Sequence, residues 1–263
     1  MTKETLFFTH ATGFQSPMYH SFLKGFEESF DVQSIPRLGQ NQRYPLNENW
    51  ANLVLEVIDF LEGQKKPVVA LGHSMGGLLN FLAAVKRPDL FKLVVLLDSP
   101  VLMGRSAFVF RLSKWVGLSD HMTPAKKSKK RKSSWDNKNE AWQYLKNNGL
   151  FKRFSPESLK AYFDYGIKED ASGRASLSLP VEEEVGLFRT TPHHLDFLCP
   201  KKLPPLLYVQ ANKRVVTNQH SIDRFVQKFK GTKMSIEGGH LFPLETPESS
   251  SGEVLSMINK VCL

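Results

Sequence analysis

The sequence predicts an α/β protein with a mostly parallel sheet, flanking helices and an inserted helical cap. Short apolar runs alternate with segments of helical period, which is typical of parallel strands joined by crossover helices. This alternation stops between residues 100 and 203, an interval too long to connect neighbouring strands. We therefore expect one core formed by residues 1–99 and 204–263. Residues 100–203 are expected to cover the carboxyl edge of the sheet, where open α/β sheets bind ligands.

The first part of the core is predicted to contain four strands and three helices. Each strand is a short apolar run, and each helix repeats apolar residues at intervals of three and four. Asn49 is expected to cap the second helix and Gly63 to end it. The predicted elements are strand 6–8, helix 18–28, strand 32–35, helix 50–62, strand 68–71, helix 76–86 and strand 93–97.

The alternation resumes after the inserted segment. The elements predicted there are strand 206–210, helix 218–229, strand 233–236 and helix 251–261. Inside the insertion, helices are expected at residues 140–146 and 156–165. Most of its aromatic residues are expected to pack within the cap, and any that face the sheet edge would form an apolar pocket for an acyl group.

The composition is that of an ordinary globular protein, with 41% hydrophobic and 23% charged residues. The N-terminus lacks the apolar core of a signal peptide, and no uncharged apolar run approaches the roughly 18 residues of a spanning helix. Cys199 and Cys262 have neither metal-binding nor disulfide spacing. We therefore expect a cytoplasmic protein with no transmembrane segment, no cofactor and no metal.

The net charge of +9 is concentrated in one segment. Between residues 111 and 153, twelve Lys and Arg stand against three Asp and Glu, giving 12 − 3 = +9. Six of the seven residues in 126–132 are cationic. Such a run is explained by a solvated surface, or by contact with an anionic lipid surface, a headgroup or an acidic substrate. It lacks interleaved aromatic residues and any nucleic-acid-binding signature, which argues against a nucleic-acid partner.

The segment GHSMGG at residues 72–77 follows a predicted strand and begins a predicted helix. A G-x-S-x-G sequence in this context forms a sharp turn that exposes the hydroxyl of Ser74 at its apex. Glycine is favoured there because side chains would clash in so tight a turn. An idle serine in a strand-to-helix turn is the alternative, but the flanking strand and helix favour a nucleophile.

A serine nucleophile needs a base to accept its proton at neutral pH. His240 follows the last predicted strand and two glycines, which would present its side chain at the same edge of the sheet as Ser74. His10 and His73 also lie near strand ends, but they adjoin predicted turns and are expected to orient the backbone.

Together these segments resemble the α/β-hydrolase-fold enzymes, and in particular their capped serine esterase and lysophospholipase-like members. The matching motifs are HATGF at 10–14, GHSMGG at 72–77 and GHLFPLE at 239–245, in the family's order of nucleophile, cap and histidine. The resemblance implies hydrolysis through an acyl-enzyme. It also implies an oxyanion hole formed by the backbone N–H groups of Met75 and of one residue in the 11–14 loop, for which Phe14 is the first choice.

The sequence departs from this family at the acid that orients the histidine. The usual position lies in residues 210–216, which read QANKRVV and contain no carboxylate. Lys213 and Arg214 at this place would repel an imidazolium. Some family members take the acid from the strand after the nucleophile, where Asp98 stands, 98 − 74 = 24 residues beyond Ser74.

Two alternatives to a catalytic Asp98 stay open. Asp98 could cap a turn before Pro100, or the triad could be incomplete. Glu237 and Glu245 flank His240, but they belong to its own loop and are poorly placed to reach its far nitrogen.

The sequence therefore predicts a serine hydrolase in which Ser74 is the nucleophile, His240 the base and Asp98 the orienting acid. The expected substrate is a small-molecule carboxylic ester or thioester with an apolar acyl group. Two other functions stay open: a binding or regulatory protein on a hydrolase scaffold, and a thioesterase or carbon–carbon bond hydrolase with the same triad.

Overall fold

The computed structural model describes residues 3–213 and 216–262. Nine strands occur within these residues. They are β1 (Glu4–Thr9), β2 (Phe30–Ser34), β3 (Val68–His73), β4 (Phe91–Leu97), β5 (Ser134–Trp135), β6 (Ile167–Glu169), β7 (Ala175–Leu177), β8 (Leu206–Ala211) and β9 (Thr232–Ile236).

Six strands form one parallel sheet in the order β2-β1-β3-β4-β8-β9. The central strand β3 is buried along its whole length, which explains its continuous run of apolar and small residues. Because the strands are parallel, the residues that follow β1, β3, β4, β8 and β9 meet at one edge of the sheet. The predicted α/β class and parallel sheet are confirmed.

Helices cover both faces of this sheet, and the sheet separates the core into two apolar clusters. The helices of the described residues are α1 (His20–Lys24), α2 (Ala51–Glu62), α3 (Met75–Lys86), α4 (Arg105–Trp115), α5 (Ser119–Met122), α6 (Ala125–Ser128), α7 (Lys138–Asn147), α8 (Pro156–Gly166), α9 (Val181–Arg189), α10 (Gln219–Phe229), α11 (Phe242–Glu245) and α12 (Pro247–Cys262).

The six predicted core strands are all present, and their ends differ from the predicted ends by at most two residues. Two local predictions are wrong. The helix expected at 18–28 consists of a 3-10 turn, Ser16–Tyr19, followed by the five-residue α1. Asn49 does not cap α2: it has a φ of 57°, and its side chain accepts a hydrogen bond from the backbone N–H of His193.

Residues 100–203, which we call the cap segment, carry α4 to α9 between β4 and β8. Helices α7 and α8 contain the two predicted helical stretches. The cap segment also includes a small antiparallel sheet, β5-β7-β6, that the sequence did not predict. These strands have two or three residues each, too few to display a period of two. The division of the chain at residues 100 and 203 stays a prediction.

Candidate active site

Ser74 occupies a tight turn between β3 and α3. Its backbone has a φ of 53° and a ψ of −115°, a conformation that non-glycine residues rarely adopt. A Cβ on Gly72 would lie 2.3 Å from the backbone nitrogen of Gly77, and one on Gly76 would lie 2.2 Å from the carbonyl oxygen of Thr9. The two glycines therefore permit the turn, which places the Ser74 hydroxyl beyond the carboxyl end of β3.

His240 lies beside this hydroxyl. Its Nε2 atom is 3.1 Å from Ser74 Oγ, within hydrogen-bond distance. The residue belongs to the loop that follows β9, where Gly238 has a φ of 127° that favours glycine. The imidazole can accept the hydroxyl proton if Nε2 carries no hydrogen.

Asp98 fixes that protonation pattern. It directly follows β4, is completely buried, and its Oδ2 atom lies 2.7 Å from His240 Nδ1. A carboxylate at this distance accepts a hydrogen bond from Nδ1–H and leaves Nε2 as the acceptor. Its other oxygen, Oδ1, accepts a hydrogen bond from the backbone N–H of Ala211 at 3.2 Å. Ser74, His240 and Asp98 thus form a continuous chain of polar contacts.

The two glutamates near His240 in sequence lie elsewhere. Glu237 pairs with Lys213 on the surface, and Glu245 accepts a hydrogen bond from Arg153 Nε at 2.6 Å. In the described structure, Asp98 is the carboxylate that contacts His240 Nδ1.

Lys213 does not act as a cation facing the imidazole. Its side chain is 66% exposed and is engaged by Glu237. The positive charge of Lys213, which would repel an imidazolium at His240, is therefore directed to solvent. Arg214, the second cation of this loop, lies outside the described residues.

The two predicted oxyanion donors differ in their availability. Met75 is the first residue of α3, where backbone N–H groups have no partner within the helix. The N–H of Phe14 already donates to the carbonyl of Ala11 at 3.2 Å, which argues against its role as a donor. Thr12 lines the same cavity as Ser74, and its hydroxyl lies 3.4 Å from the sulfur of Met75. Within residues 3–213 and 216–262, no hydrogen-bond partner engages the Thr12 N–H, so Thr12 is the better candidate.

A buried network links the two loops of the site. His73 donates a hydrogen bond from Nε2 to the carbonyl of His240 at 2.8 Å. Its Nδ1 accepts from the hydroxyl of Tyr19 at 2.8 Å, and that hydroxyl accepts from the Ala11 N–H at 3.4 Å. Burial lowers the pKa of His73 well below its usual value, so the ring is neutral. These contacts agree with the predicted role of His73 in orienting the backbone; the contribution of Tyr19 was not predicted.

A cavity of about 700 Å³ opens beside Ser74 and His240. Its walls are mostly apolar, as expected for a site that receives an acyl chain. The apolar and aromatic residues lining it include Phe14, Trp50, Leu102, Val109, Phe110 and Phe188. Among the cap aromatics, Phe110 therefore faces the site, whereas the rings of Phe151 and Tyr162 pack against each other within the cap segment, with their centres 4.5 Å apart.

An ion pair within the cap segment lies beside the loop at residues 11–14. Glu184 of α9 accepts a hydrogen bond from Ser128 Oγ at 3.1 Å, and its Oε2 lies 2.6 Å from Arg131 Nη2. A Cβ on Gly13 would come within 3.1 Å of Glu184 Oε1. Burial raises the pKa of Glu184, and the positive charge of Arg131 opposes this effect. No sequence pattern predicted this pair, because Arg131 and Glu184 lie more than fifty residues apart.

Neither a metal cluster nor a membrane-spanning helix is found in the part of the chain that the structure describes. No group of three His, Cys, Asp or Glu side chains there could hold a metal ion. No helix there is both long enough and apolar enough to cross a bilayer.

Residues 6–249 match the model of the alpha/beta hydrolase family. The chain belongs to the alpha/beta hydrolase family. The match spans most of the sequence and includes Ser74, Asp98 and His240. It confirms the predicted α/β-hydrolase fold and identifies the protein as a hydrolase of that family.

Individual relatives are more distant. An uncharacterized hydrolase, YugF of Bacillus subtilis (strain 168), is 30% identical over 110 residues, which is 40% of this chain and 40% of the relative. The peroxisomal alpha-beta-hydrolase Lpx1 of Saccharomyces cerevisiae has a TM-score of 0.76 at 16% identity, covering 100% of this chain and 77% of that one. A thioesterase domain from the curacin biosynthetic pathway has a TM-score of 0.73 at 13% identity, covering 97% of this chain and 91% of the domain. At these identities the two structures share the fold of this chain.

Proposed function

We propose that this hydrolase is a serine esterase that cleaves a small-molecule carboxylic ester or thioester through an acyl-enzyme. The observation that supports the proposal is the chain of contacts from Ser74 Oγ to His240 Nε2, at 3.1 Å, and from His240 Nδ1 to Asp98 Oδ2, at 2.7 Å. This arrangement of nucleophile, base and orienting acid activates a serine hydroxyl in unrelated hydrolases.

The reaction then follows from the geometry. Ser74 Oγ attacks the substrate carbonyl while its proton passes to His240 Nε2, and buried Asp98 stabilises the resulting imidazolium. The backbone N–H groups of Met75 and Thr12 donate to the oxyanion. Collapse of this intermediate breaks the bond to the alcohol or thiol, which takes the proton from His240. Water, deprotonated by His240, next attacks the acyl-serine and releases the acid and free Ser74.

The apolar lining of the 700 Å³ cavity favours a substrate with an apolar acyl group. Esters and thioesters follow the same steps, since they differ in the leaving group. The lysophospholipase-like substrate class suggested by the sequence stays within this proposal.

The cationic run at 126–132 supplies a weaker anion-binding surface than its sequence implies. Three of its six cations have partners inside the protein: Lys129 with Asp120, Arg131 with Glu184, and Lys132 with Glu140. Lys126, Lys127 and Lys130 have no ion pair among the described residues. We assign the predicted contact with anionic headgroups to these three lysines. A cytoplasmic location and the absence of a nucleic-acid partner stay predictions.

The proposal is tested by hydrolysis of p-nitrophenyl esters with acyl groups from acetyl to dodecanoyl. Ser74→Ala removes the nucleophile, and we expect kcat/KM to fall by at least about 10³-fold while the fold is retained. Ser249→Ala, which changes an exposed serine on α12, is the matched control and should keep full activity.

Labelling with a fluorophosphonate separates the alternatives. Labelling of the wild type that is lost in Ser74→Ala, with little ester turnover, would indicate an activated serine with a more specialised substrate. If the folded wild type neither reacts with the probe nor hydrolyses any ester, the protein is a binding protein on this scaffold and the proposal is wrong.

A further inference from the structure

Exposed apolar side chains are concentrated in one part of the cap segment. Thirteen large apolar side chains of the described residues are exposed, and seven of them lie between residues 108 and 122. Single exposed apolar residues are ordinary on a protein surface, but a contiguous group marks an interaction site. The seven are Phe108, Val109, Leu112, Trp115, Val116, Leu118 and Met122.

Three of these residues form a stripe along α4. Phe108, Leu112 and Trp115 are spaced by four and three residues, so they lie on the same face of the helix. Trp115 is 85% exposed. The opposite face carries the buried Ala107 and Phe110, which hold the helix on the protein. The stripe is therefore a fixed apolar surface that faces solvent.

This apolar stripe borders the entrance of the candidate active site. Val109 and Met122 are 46% and 47% exposed, yet both also line the cavity that contains Ser74. Val109 and Met122 therefore belong both to the exposed apolar group and to the wall of the cavity.

The segment that carries the stripe is cationic. Residues 99–135 contain nine Lys and Arg and one carboxylate, giving 9 − 1 = +8. Lys114, Lys129, Arg131 and Lys132 pair with carboxylates of the protein, which leaves 9 − 4 = 5 cations without an ion pair among the described residues. The carboxylate, Asp120, is already engaged by Lys129 and Arg189. The guanidinium of Arg111 lies 5.8 Å from the ring centre of Phe108, so a cation stands directly beside the apolar stripe.

We infer that the apolar stripe of α4 docks onto an anionic phospholipid surface. Tryptophan, phenylalanine and leucine insert at the boundary between headgroups and acyl chains, while flanking Arg and Lys contact anionic headgroups. A second copy of the chain would fit poorly, since a symmetric contact through this face would bring the same cations together. Docking in this orientation sets the mouth of the cavity against the membrane, where an apolar substrate is concentrated.

The test is flotation with phosphatidylcholine vesicles, with and without about 30 mol% phosphatidylglycerol. We expect binding to the anionic vesicles that weakens at about 0.5 M NaCl. The combined variant Phe108→Ser, Leu112→Ser and Trp115→Ser should lower the partition coefficient at least about tenfold. Leu55→Ser, which removes an apolar side chain that is 45% exposed on α2, should bind like the wild type.

A second variant keeps the inference testable if the triple serine variant is unstable. Arg111→Glu with Lys126→Glu and Lys127→Glu leaves the stripe intact and should also abolish the preference for anionic vesicles. Flotation does not depend on catalysis, so Ser74→Ala should bind normally even if the proposed function fails. Equal flotation of wild type and triple serine variant, or no flotation of wild type, overturns the inference. A wild-type dimer in light scattering that the triple serine variant dissociates would assign the stripe to a second copy.

Discussion

Asp98 is the residue on which the proposed mechanism depends most. It combines complete burial, a φ of 44° and a contact with His240 Nδ1. Strained backbone persists where the surrounding structure holds it, and such positions cluster at functional sites. Here the backbone N–H of Asp98 donates to Val209 at 2.8 Å, and one carboxylate oxygen receives the Ala211 N–H. The strand neighbours thus hold the second oxygen toward the imidazole.

Asp98→Asn is expected to lower kcat by about 10³- to 10⁴-fold with little change in the fold. Asparagine tolerates a positive φ, and its amide oxygen can still accept from Ala211. It cannot keep the negative charge that stabilises the imidazolium. Steady-state kinetics on a p-nitrophenyl ester, together with a thermal unfolding curve, measure both effects.

Glu237→Gln is the matched control for this prediction. It neutralises a carboxylate on the loop of His240 that contacts Lys213 and not the imidazole. We expect wild-type kcat in this variant. If instead Asp98→Asn retained activity and Glu237→Gln lost it, the loop would rearrange during the reaction and the assignment of the acid would be wrong.

At the scale of residues, the sequence predicted which side chains lie close together, but not which backbone N–H groups lack a hydrogen-bond partner. Ser74, His240 and Asp98 could be placed because each follows a strand of a parallel sheet, and such strands end at one edge. The turn bond from the Phe14 N–H to the Ala11 carbonyl, which argues against Phe14 as an oxyanion donor, depends on local backbone geometry. Residue types in a short loop do not encode that geometry.

At the scale of elements, the turn between β3 and α3 shows how closely the backbone segments approach. Gly76 lies where a Cβ would meet the carbonyl of Thr9 in β1 at 2.2 Å. That contact is with backbone, which cannot rotate away as a side chain can. The glycine is thus required by the packing of α3 against the sheet, independently of any chemistry at Ser74.

Paired glycine substitutions test this requirement. Gly76→Ala is expected to lower the free energy of unfolding by several kcal/mol, because strands or helix must move apart. Gly252 lies inside α12 with no atom within 4 Å of a built Cβ. Gly252→Ala should therefore raise the free energy of unfolding by about 0.5–1 kcal/mol through better helix propensity.

Urea unfolding followed by circular dichroism measures both variants. The essential expectation is that the two variants change the free energy of unfolding in opposite directions, although both add the same methyl group. A Gly76→Ala protein as stable as the wild type would mean that α3 can shift along the sheet, and the tight approach described here would be incorrect.

How well an element could be predicted from the sequence depends on how its residues are buried. Buried parallel strands read as apolar runs, so the six core strands were located within two residues. By contrast, α1 ends at Gly25, where a Cβ would meet Ser251 Oγ of α12 at 2.2 Å. That contact joins residues more than two hundred positions apart and leaves no local signal.

At the scale of the whole molecule, the carboxyl edge of the sheet is joined by two buried histidines. His73 links the loop of His240 to Tyr19, as described above. His10 donates from Nδ1 to the carbonyl of Ala11 at 2.9 Å and accepts from the backbone N–H of Leu38 at 2.9 Å. Each ring uses one nitrogen as an acceptor. Protonation of His10 would place its Nε2–H against the Leu38 N–H, so a hydrogen bond would be replaced by a clash of two donors. Protonation of His73 would require the Tyr19 hydroxyl to turn and accept.

The cap segment was predicted only in outline, because its packing depends on contacts between residues that are distant in sequence. Its length and helical periodicity were visible in the sequence, but its internal packing includes the ion pair of Glu184 and Arg131, which lie 184 − 131 = 53 residues apart in the chain. The cationic run looked uniform in sequence, whereas half of its charges have partners inside the protein. Pairing between distant side chains is decided by tertiary structure, which single-sequence patterns do not report.

The buried histidines predict a loss of stability in mild acid. Burial lowers the pKa of His10 to about 4, and that of His73 also lies well below its usual value. In the unfolded chain both titrate near about 6.5, so between that pH and about 4 the unfolded state binds more protons than the folded state. The free energy of unfolding must therefore fall as the pH falls through this window. His10 alone contributes a loss of about 3 kcal/mol by pH 4.

Urea unfolding at a series of pH values between 7.5 and 4.5 measures this slope for the wild type and for His10→Gln. The variant should be less stable at neutral pH, because it loses the hydrogen bonds of the imidazole to Ala11 and Leu38. Its free energy of unfolding should depend less on pH. Burial raises the pKa of Glu56 and Glu184, and these groups oppose the histidines near the acid end of the range. Their contribution is common to both proteins and cancels in the difference. Parallel pH curves for the two proteins would mean that the pKa of His10 is not lowered in the fold, and the prediction would be wrong.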